Sequence, residues 1–454
     1  MSGARLEGRT EGEATPLPAS APRPIVPLPI APFLVYNALL LASLPLLLLA
    51  LAFAALTGRR VGRTWRAQLG WELPQAPVQG GALWLQAASV GEAQAVRRLV
   101  EGLRARLPRY PVLLTGSTPE GMRVAREKVA AHHHAAFPFD FPWVLDRWFE
   151  TYSPRACLVV ETEIWPNLIW ACARRGLPLV LVNGRLSPGR MRRYKILRPF
   201  YRQFLAGFSL LLMQSEDDAQ RIAELGANPD AIHIVGDLKY DNLPEPADSD
   251  GPGDFPVIVA GSTHPGESER VIDSYSGLRH SFDGLALVLA PRHPETAGAA
   301  IEHAARLGLE ADRRSAGHDL TRRRILVLDS VGELTTFYRR ATVAFVGGSL
   351  VSIGGHSLLE PASLARPVLY GPHAFHFAEA ARWLEEAGGG RQVDDGLTLT
   401  GVLSILLSDR AEAERMGKAA RAVVTARGGA TARTLEHLER LLGSGCARGG
   451  GEPA

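Results

Sequence analysis

From residue 80 onwards the chain alternates short apolar runs with stretches in which apolar residues recur every three or four positions. The runs in the first half are 82–87, 111–116, 156–161, 177–183 and 208–214. Unbroken apolar runs of this length read as buried strands and the periodic stretches as helices, an alternation that implies βαβ units and a parallel sheet. The pattern pauses at 243–256, where Pro, Gly and Asp dominate, and this reads as a linker. It then resumes with runs at 255–261, 285–291, 324–329, 341–347 and 366–371. The expectation is an α/β protein of two Rossmann-like domains, 58–242 and 257–442, facing a cleft that would take a ligand. The second domain closes with helical residues 409–442, and a Gly-rich tail, 443–454, is expected to be disordered.

The N-terminus adds a different kind of segment. Residues 1–32 are rich in Pro and Ala without apolar periodicity and read as a disordered tail. Residues 33–57 follow as an anchor: Phe33 to Leu56 contains no charged residue, and roughly 20 apolar residues suffice to span a bilayer. Pro45 within it is tolerated by membrane helices. Arg59, Arg60, Arg63 and Arg66 come directly after, so the positive-inside rule puts the body of the protein in the cytoplasm. A secretory signal fits less well, since the apolar run exceeds the usual ~7–15 residues and the basic cluster lies on the wrong side. A helix lying in the membrane plane is the rival to one that spans it.

Composition narrows the function classes. The length of 454 residues holds two ordinary domains and appendages. With 50 basic and 47 acidic residues the chain lacks the basic excess of a nucleic-acid binder. Cys157, Cys172 and Cys446 show no CxxC spacing and suit inert thiols in a reducing compartment.

Candidate chemistry collects where strands end, because those ends share one edge of an open α/β sheet. "SVGE" places Glu92 in the first helical turn after the first strand, where a plain first-turn acid is the alternative reading. "TGSTPEG" follows the second strand, and there Ser117 or Thr118 also suits a helix cap with Pro119 in the first turn. "ETEIWPN" carries Glu161 and Glu163, "NGRLS" ends the next strand, and "GDLKYD" carries Lys239. In the second half "PRHPE" offers Arg292 to an anion, "SVGEL" opens a helix at 330–334, and "GGSLVSIGGHSLLEPA" is a Gly-rich loop. Within that loop Ser357-x-x-Glu360 also has the spacing of a capping box. Neither GxGxxG after the first strand nor a P-loop is present. His132 to His134 are consecutive and cannot face one metal from regular structure, so no metal site is expected. The DxD spacing of 248–250 falls in the linker and is discounted.

Taken in order, "SVGE", "ETEIWPN", "LVNGRLS", "GDLKYD", "STHPGE", "PRHPE", "FVGGSLV" and "GPHAFHF" resemble the 3-deoxy-D-manno-octulosonic acid (Kdo) transferases of lipopolysaccharide biosynthesis, from the apolar segment to about residue 440. The resemblance implies a GT-B fold with the acceptor domain first and the donor domain second. It implies an inverting glycosyltransferase that moves Kdo from CMP-Kdo to a hydroxyl of a lipid A precursor (lipid IVA) at the cytoplasmic face of the inner membrane. No cofactor, metal or nucleic acid is called for. Glu92 matches the family's catalytic base, while Glu161 and Lys239 match positions used around the transition state. Pro291 with Arg292, then Val331, Gly332 and Glu333, then Ser357, Leu358, Leu359 and Glu360, match the donor-binding segments. Val331 stands where methionine is more familiar, and Ser357 and His376 stand where asparagine is usual. Three other readings remain: a GT-B transferase or epimerase using a UDP-sugar, a non-catalytic membrane-tethered scaffold, and a Rossmann oxidoreductase. The last is disfavoured by the missing dinucleotide fingerprint, and the scaffold by intact Glu92, Lys239 and Arg292.

Overall fold

The computed structural model describes residues 30–56, 65–71, 73, 81–247, 250–251 and 253–443. The expected tails, apart from 30–32 and 443, fall outside the described residues, as do Arg59, Arg60, Arg63, Asp248, Ser249 and Cys446. The chain divides into two units: one takes residues up to Ala93, Val100–Ile234 and the end of the chain from Arg433, the other Gln94–Leu99 and Val235–Ala432.

The first unit holds seven strands, β1 (Leu83–Gln86), β2 (Val112–Gly116), β3 (His133–Ala136), β4 (Ala156–Val160), β5 (Leu179–Gly184), β6 (Leu210–Met213) and β7 (Ile232–Ile234), in the order β3-β2-β1-β4-β5-β6-β7. All of their pairings are parallel. The second unit repeats the plan with β8 (Val257–Thr263), β9 (Ala286–Pro291), β10 (Ala311–Arg313), β11 (Ile325–Val327), β12 (Val343–Val346), β13 (Val368–Tyr370) and β14 (Gly390–Gln392), ordered β10-β11-β9-β8-β12-β13-β14 and again parallel throughout. Parallel strands need long crossovers, and the helices that make them cover the sheet faces. The central strands are accordingly buried along their whole length.

Of the fourteen strands among the described residues, ten coincide with the apolar runs. The four without such a run, β3, β7, β10 and β14, are the two edges of each sheet. Edge strands are short and half-exposed and carry polar residues, so they lack the apolar signature. In β3 the histidines act as hydrogen-bonding groups: His134 Nε2 lies 3.0 Å from the Val129 carbonyl, and just before the strand His132 Nδ1 accepts from the Val112 amide at 3.0 Å.

The N-terminal helix runs from Ile30 to Leu56, starting three residues before the expected anchor. Among the described residues no helix is long and apolar enough to cross a membrane. The first half of this helix is committed to the first unit, against the helix Pro166–Arg175. Phe33 stacks on Trp170 at 4.3 Å, Asn37 and Asn167 exchange amide hydrogen bonds of 2.8 and 2.9 Å, and Leu40 and Leu44 pack on the core. The Tyr36 hydroxyl donates to buried Asp140 at 3.0 Å, and Asp140 also accepts from the Asn167 and Leu168 amides. The other side exposes Leu34, Val35, Leu39, Leu46, Leu49 and Phe53.

Burial pushes the Asp140 carboxyl up to about 7, against the pull of its three donors. The native chain therefore keeps a proton that the unfolded chain releases near pH ~3.9. Asp140's part of the stability is full below that pH and declines as pH rises towards 7. In Asp140→Asn that decline should vanish, and the loss of an acceptor to a buried amide should cost about 1–3 kcal/mol. Denaturant titrations followed by tryptophan fluorescence between pH 5 and 8 measure both; an unchanged pH slope in the variant would contradict the assignment.

Candidate active site

In the first unit the site forms at the carboxyl end of β1. The chain leaves the strand through Ala87–Ser89 and enters the helix Val90–Ala95. Glu92 turns back over this turn: its carboxylate accepts from the Ala88 amide at 2.7 Å and the Ser89 hydroxyl at 2.8 Å, and the Glu92 amide donates to Ser89 Oγ at 3.3 Å. The arrangement is a variant of the capping box, whose Ser-x-x-Glu spacing stands in the sequence at 89–92. Glu92 is thus at once a cap and a carboxylate at the strand end.

Its electrostatics differ from what a helix's first turn alone would give, a carboxylate readily ionised by the dipole and only weakly basic. Burial pushes the Glu92 carboxyl above the usual carboxylate range; the bonds from Ala88 and Ser89 oppose this, and the charges of Glu163 and Glu161 add to it. A carboxylate with a raised pKa is a better proton acceptor once ionised. Glu163 is held by Gln86 Nε2 at 3.0 Å and Trp165 Nε1 at 3.1 Å, and burial raises it as well. Behind it runs a buried relay in which Trp84 Nε1 donates to Thr115 Oγ1 at 2.9 Å and Thr115 donates to Gln86 Oε1 at 2.6 Å. Glu161 follows β4 with φ +59°. Left-handed non-glycine residues are uncommon and gather at functional sites. Asn183 in β5 and Ser262 in β8, with φ +56° each, also sit at strand ends. At the end of β2, Thr118 caps the helix Pro119–Lys128 by accepting from the Gly121 amide.

An apolar cavity of about 140 Å³ opens beside Thr162 and Ile164 and is lined by Leu181, Leu186, Tyr194, Tyr201 and Leu205 among others. The helices over it, Pro188–Ile196 and Arg198–Leu205, expose Ile196 and Leu197 together with Arg192, Arg193, Lys195 and Arg198.

Lys239 belongs to the second unit, exposed in the short helix Leu238–Asp241 that Asp237 caps. In the same unit Pro291 ends β9, and the Arg292 amide donates to the Thr263 carbonyl at the end of β8, leaving the guanidinium exposed. Val331 and Gly332 are exposed, and Glu333 pairs with Arg314 at 3.0 Å. The Ser330 hydroxyl and Arg314 hold the Glu333 carboxyl below its usual range. Glu360 accepts from Thr335, which brings the segments 331–335 and 357–360 together. The expected capping box at Ser357 does not form: the helix Leu359–Ser363 begins one residue later, with Leu358 at its N-cap and no side-chain cap. Leu358 is fully buried, so its side chain is core and only its backbone can face a ligand.

The Gly-rich loop after β12 holds a surprise for a phosphate-binding reading. Its amides at Gly348, Ser349 and Leu350 point at Glu267, a fully buried carboxylate that also accepts from the His264 amide, with distances of 2.6 to 3.0 Å. The nest that would suit an anion is filled by the protein's own carboxylate. Gly347 is required there because a Cβ would meet the Ser262 carbonyl at 2.6 Å.

The fold is that of GT-B-like proteins. A solved UDP-N-acetylglucosamine 2-epimerase superimposes with a TM-score of 0.54 over 82% of this chain and 98% of its own, at 16% identity, a likeness of fold alone. Residues 62–242 match the family described as 3-deoxy-D-manno-octulosonic-acid transferase (kdotransferase). The 3-deoxy-D-manno-octulosonic acid transferase of Bordetella pertussis is 36% identical over 410 residues, covering 85% of this chain and 94% of that protein. That of Haemophilus influenzae is 33% identical over 420 residues, covering 90% and 98%. The chain belongs to the Kdo transferase family and is a glycosyltransferase.

The acidic cluster makes a measurable statement about pH. A carboxylate acting as base at the position of Glu92 would have to be ionised, so turnover should fall as pH drops through its raised pKa. Glu163→Gln keeps an acceptor for Gln86 and Trp165 but removes a like charge, which lowers the pKa of Glu92. The acid limb of the pH–rate profile for Kdo transfer should then move to lower pH. A limb that stays put, or moves up, would show that Glu163 does not act on Glu92.

Proposed function

We propose that this protein transfers Kdo from CMP-Kdo to a hydroxyl of a lipid A precursor with inversion, Glu92 taking the acceptor's proton. The observation that carries this reading is the Glu92 carboxylate itself: buried at the end of β1 and raised by burial and two neighbouring carboxylates. The acceptor oxygen forms a bond to the sugar's anomeric carbon, its proton passes to Glu92, and the bond from that carbon to the phosphate oxygen breaks. The second unit holds the donor, with Arg292 attracting its phosphate and the segments around Glu333 and Glu360 holding the nucleoside. Lys239 supplies positive charge for the transition state, and Glu161 positions the reacting groups.

A lipid acceptor accounts for three surface features of the first unit. The helix Ile30–Leu56 turns a row of leucines outward, the helices at 188–205 carry exposed aliphatic and basic side chains, and an apolar cavity opens beside Ile164. The helices Ile30–Leu56 and Arg198–Leu205 both flank the helix Pro166–Arg175. We read this face as the one that rests on the cytoplasmic side of the inner membrane, with Ile30–Leu56 as the anchor and the arginines on anionic headgroups.

Glu92→Gln retains an oxygen for the cap but cannot accept a proton, so turnover should fall on the order of a hundredfold or more while CMP affinity holds. Arg292→Ala should weaken CMP at least about fivefold, because a charge-assisted bond to phosphate is lost. Mass spectrometry of products from CMP-Kdo and a tetraacyl lipid A precursor identifies the transfer. Normal turnover in Glu92→Gln, or binding of UDP in preference to CMP, would sink this reading.

For the membrane, Leu39→Ser, Leu46→Ser and Leu49→Ser combined leave the docked side of the helix intact. Activity on vesicle-embedded acceptor should fall several-fold while activity on detergent-dispersed acceptor is spared. Equal activity of variant and parent on vesicles would remove the anchor's catalytic role.

A further inference from the structure

Three strand ends of the second unit converge on a group of imidazoles that no assigned donor contact includes. His264 follows β8, His293 follows β9, and His356 lies in the loop after β12. His264 Nε2 and His356 Nε2 are 3.0 Å apart, and the two rings are parallel within 2°. The His293 ring stands across His264 at 5.7 Å. Arg292 neighbours both members of the pair electrostatically. The position is built: the Glu267 carboxylate holds the His264 amide and the Gly-rich loop, and a side chain at Gly348 would meet the His356 ring at 2.9 Å.

Two imidazoles joined through one nitrogen each must share a single proton in that bond, so the pair is either neutral with two protons or cationic with three. Burial pushes both histidines below their usual range; Arg292 and His293 push the same way, and Glu267 pulls back. From the turn Phe375–Phe377, His376 packs against Gly354 of the same loop. At neutral pH the pair is therefore in its two-proton state, with room for a third.

We propose that the His264–His356 pair is an anion-holding group beside Arg292, and that it takes up a proton from solvent when a nucleotide phosphate binds. The site's charge rises from that of Arg292 alone to two, matching the dianion of a nucleoside monophosphate. This deepens the donor role given to the second unit and rests on it. In the transfer the phosphate goes from a singly charged diester to a doubly charged monoester, taking the electron pair of the broken C–O bond. The third proton on the pair offsets that added charge where it develops.

The test uses the full-length enzyme and CMP. Above pH 7 the CMP phosphate is already mostly dianionic, with a second pKa of ~6, so its own titration drops out. Calorimetry at pH 7.5 in two buffers of different ionisation enthalpy should show a substantial fraction of a proton taken up per CMP bound. The CMP Kd should rise several-fold between pH 7.0 and 8.5. His356→Gln and His264→Gln should each abolish the uptake and flatten the pH dependence, with CMP still bound more weakly. CMP binding without proton uptake in the wild-type protein overturns the proposal and leaves the donor reading standing, whatever the variants do. Uptake that persists in both variants also overturns it. Failure of the wild-type protein to bind CMP at millimolar concentration overturns both together.

Discussion

Parallel strand pairing is the constraint on which the rest of this structure hangs. A parallel pair cannot be closed by a tight turn, so each strand is followed by a crossover, and the helices of those crossovers bury both faces of the sheet. Side chains within the strands are thereby committed to the core. Only the ends of the strands are left for chemistry, and parallel order puts all carboxyl ends on one edge. Glu161 in the first unit, and His264 and Arg292 in the second, are the first residues after a strand stops, and Glu163, Glu92 and His356 lie in the segments that follow strand ends. Glu161, Asn183 and Ser262 adopt left-handed backbone there, where a chain must turn sharply out of a buried ladder.

Two buried glutamates show how the same residue type is divided between structure and chemistry. Glu267 is surrounded by four backbone amides. That many donors satisfy a carboxylate fully and make it a fixed internal anion that shapes a loop. Glu92 receives one amide and one hydroxyl and faces two further carboxylates. Its charge is incompletely compensated, and it keeps lone pairs for a proton. The difference lies in the number of donors each fold position aims at the carboxylate.

The N-terminal helix illustrates the same division between faces of one element. In an otherwise apolar run, Tyr36, Asn37 and Ser43 are the polar residues, and the first two meet the buried polar groups of Asp140 and Asn167. Those hydrogen bonds set the helix's rotation about its axis, because a polar group buried without a partner is costly. The leucines that face outward do so as a consequence.

Much of this was legible in the chain. Ten strands, the two-unit plan, the Thr118 cap and the family motifs all rest on local patterns: continuous apolar runs, turn residues and short-range spacing. The four edge strands were not legible, since a strand paired on one side only need not be apolar. The capping box expected at Ser357 failed and one unremarked at Ser89 formed, because where a helix starts depends on what packs over it: Leu358 goes to the core and shifts the start by a residue. The raised pKa of Glu92 comes from burial and, to a lesser degree, from Glu163, 71 positions away in sequence, and the His264–His356 pair joins residues 92 apart. Sequence alone determined which residues stand at strand ends, since hydrophobic burial is read locally. Which of them share a field or a proton was decided only by the tertiary fold, since electrostatic coupling depends on distance in space.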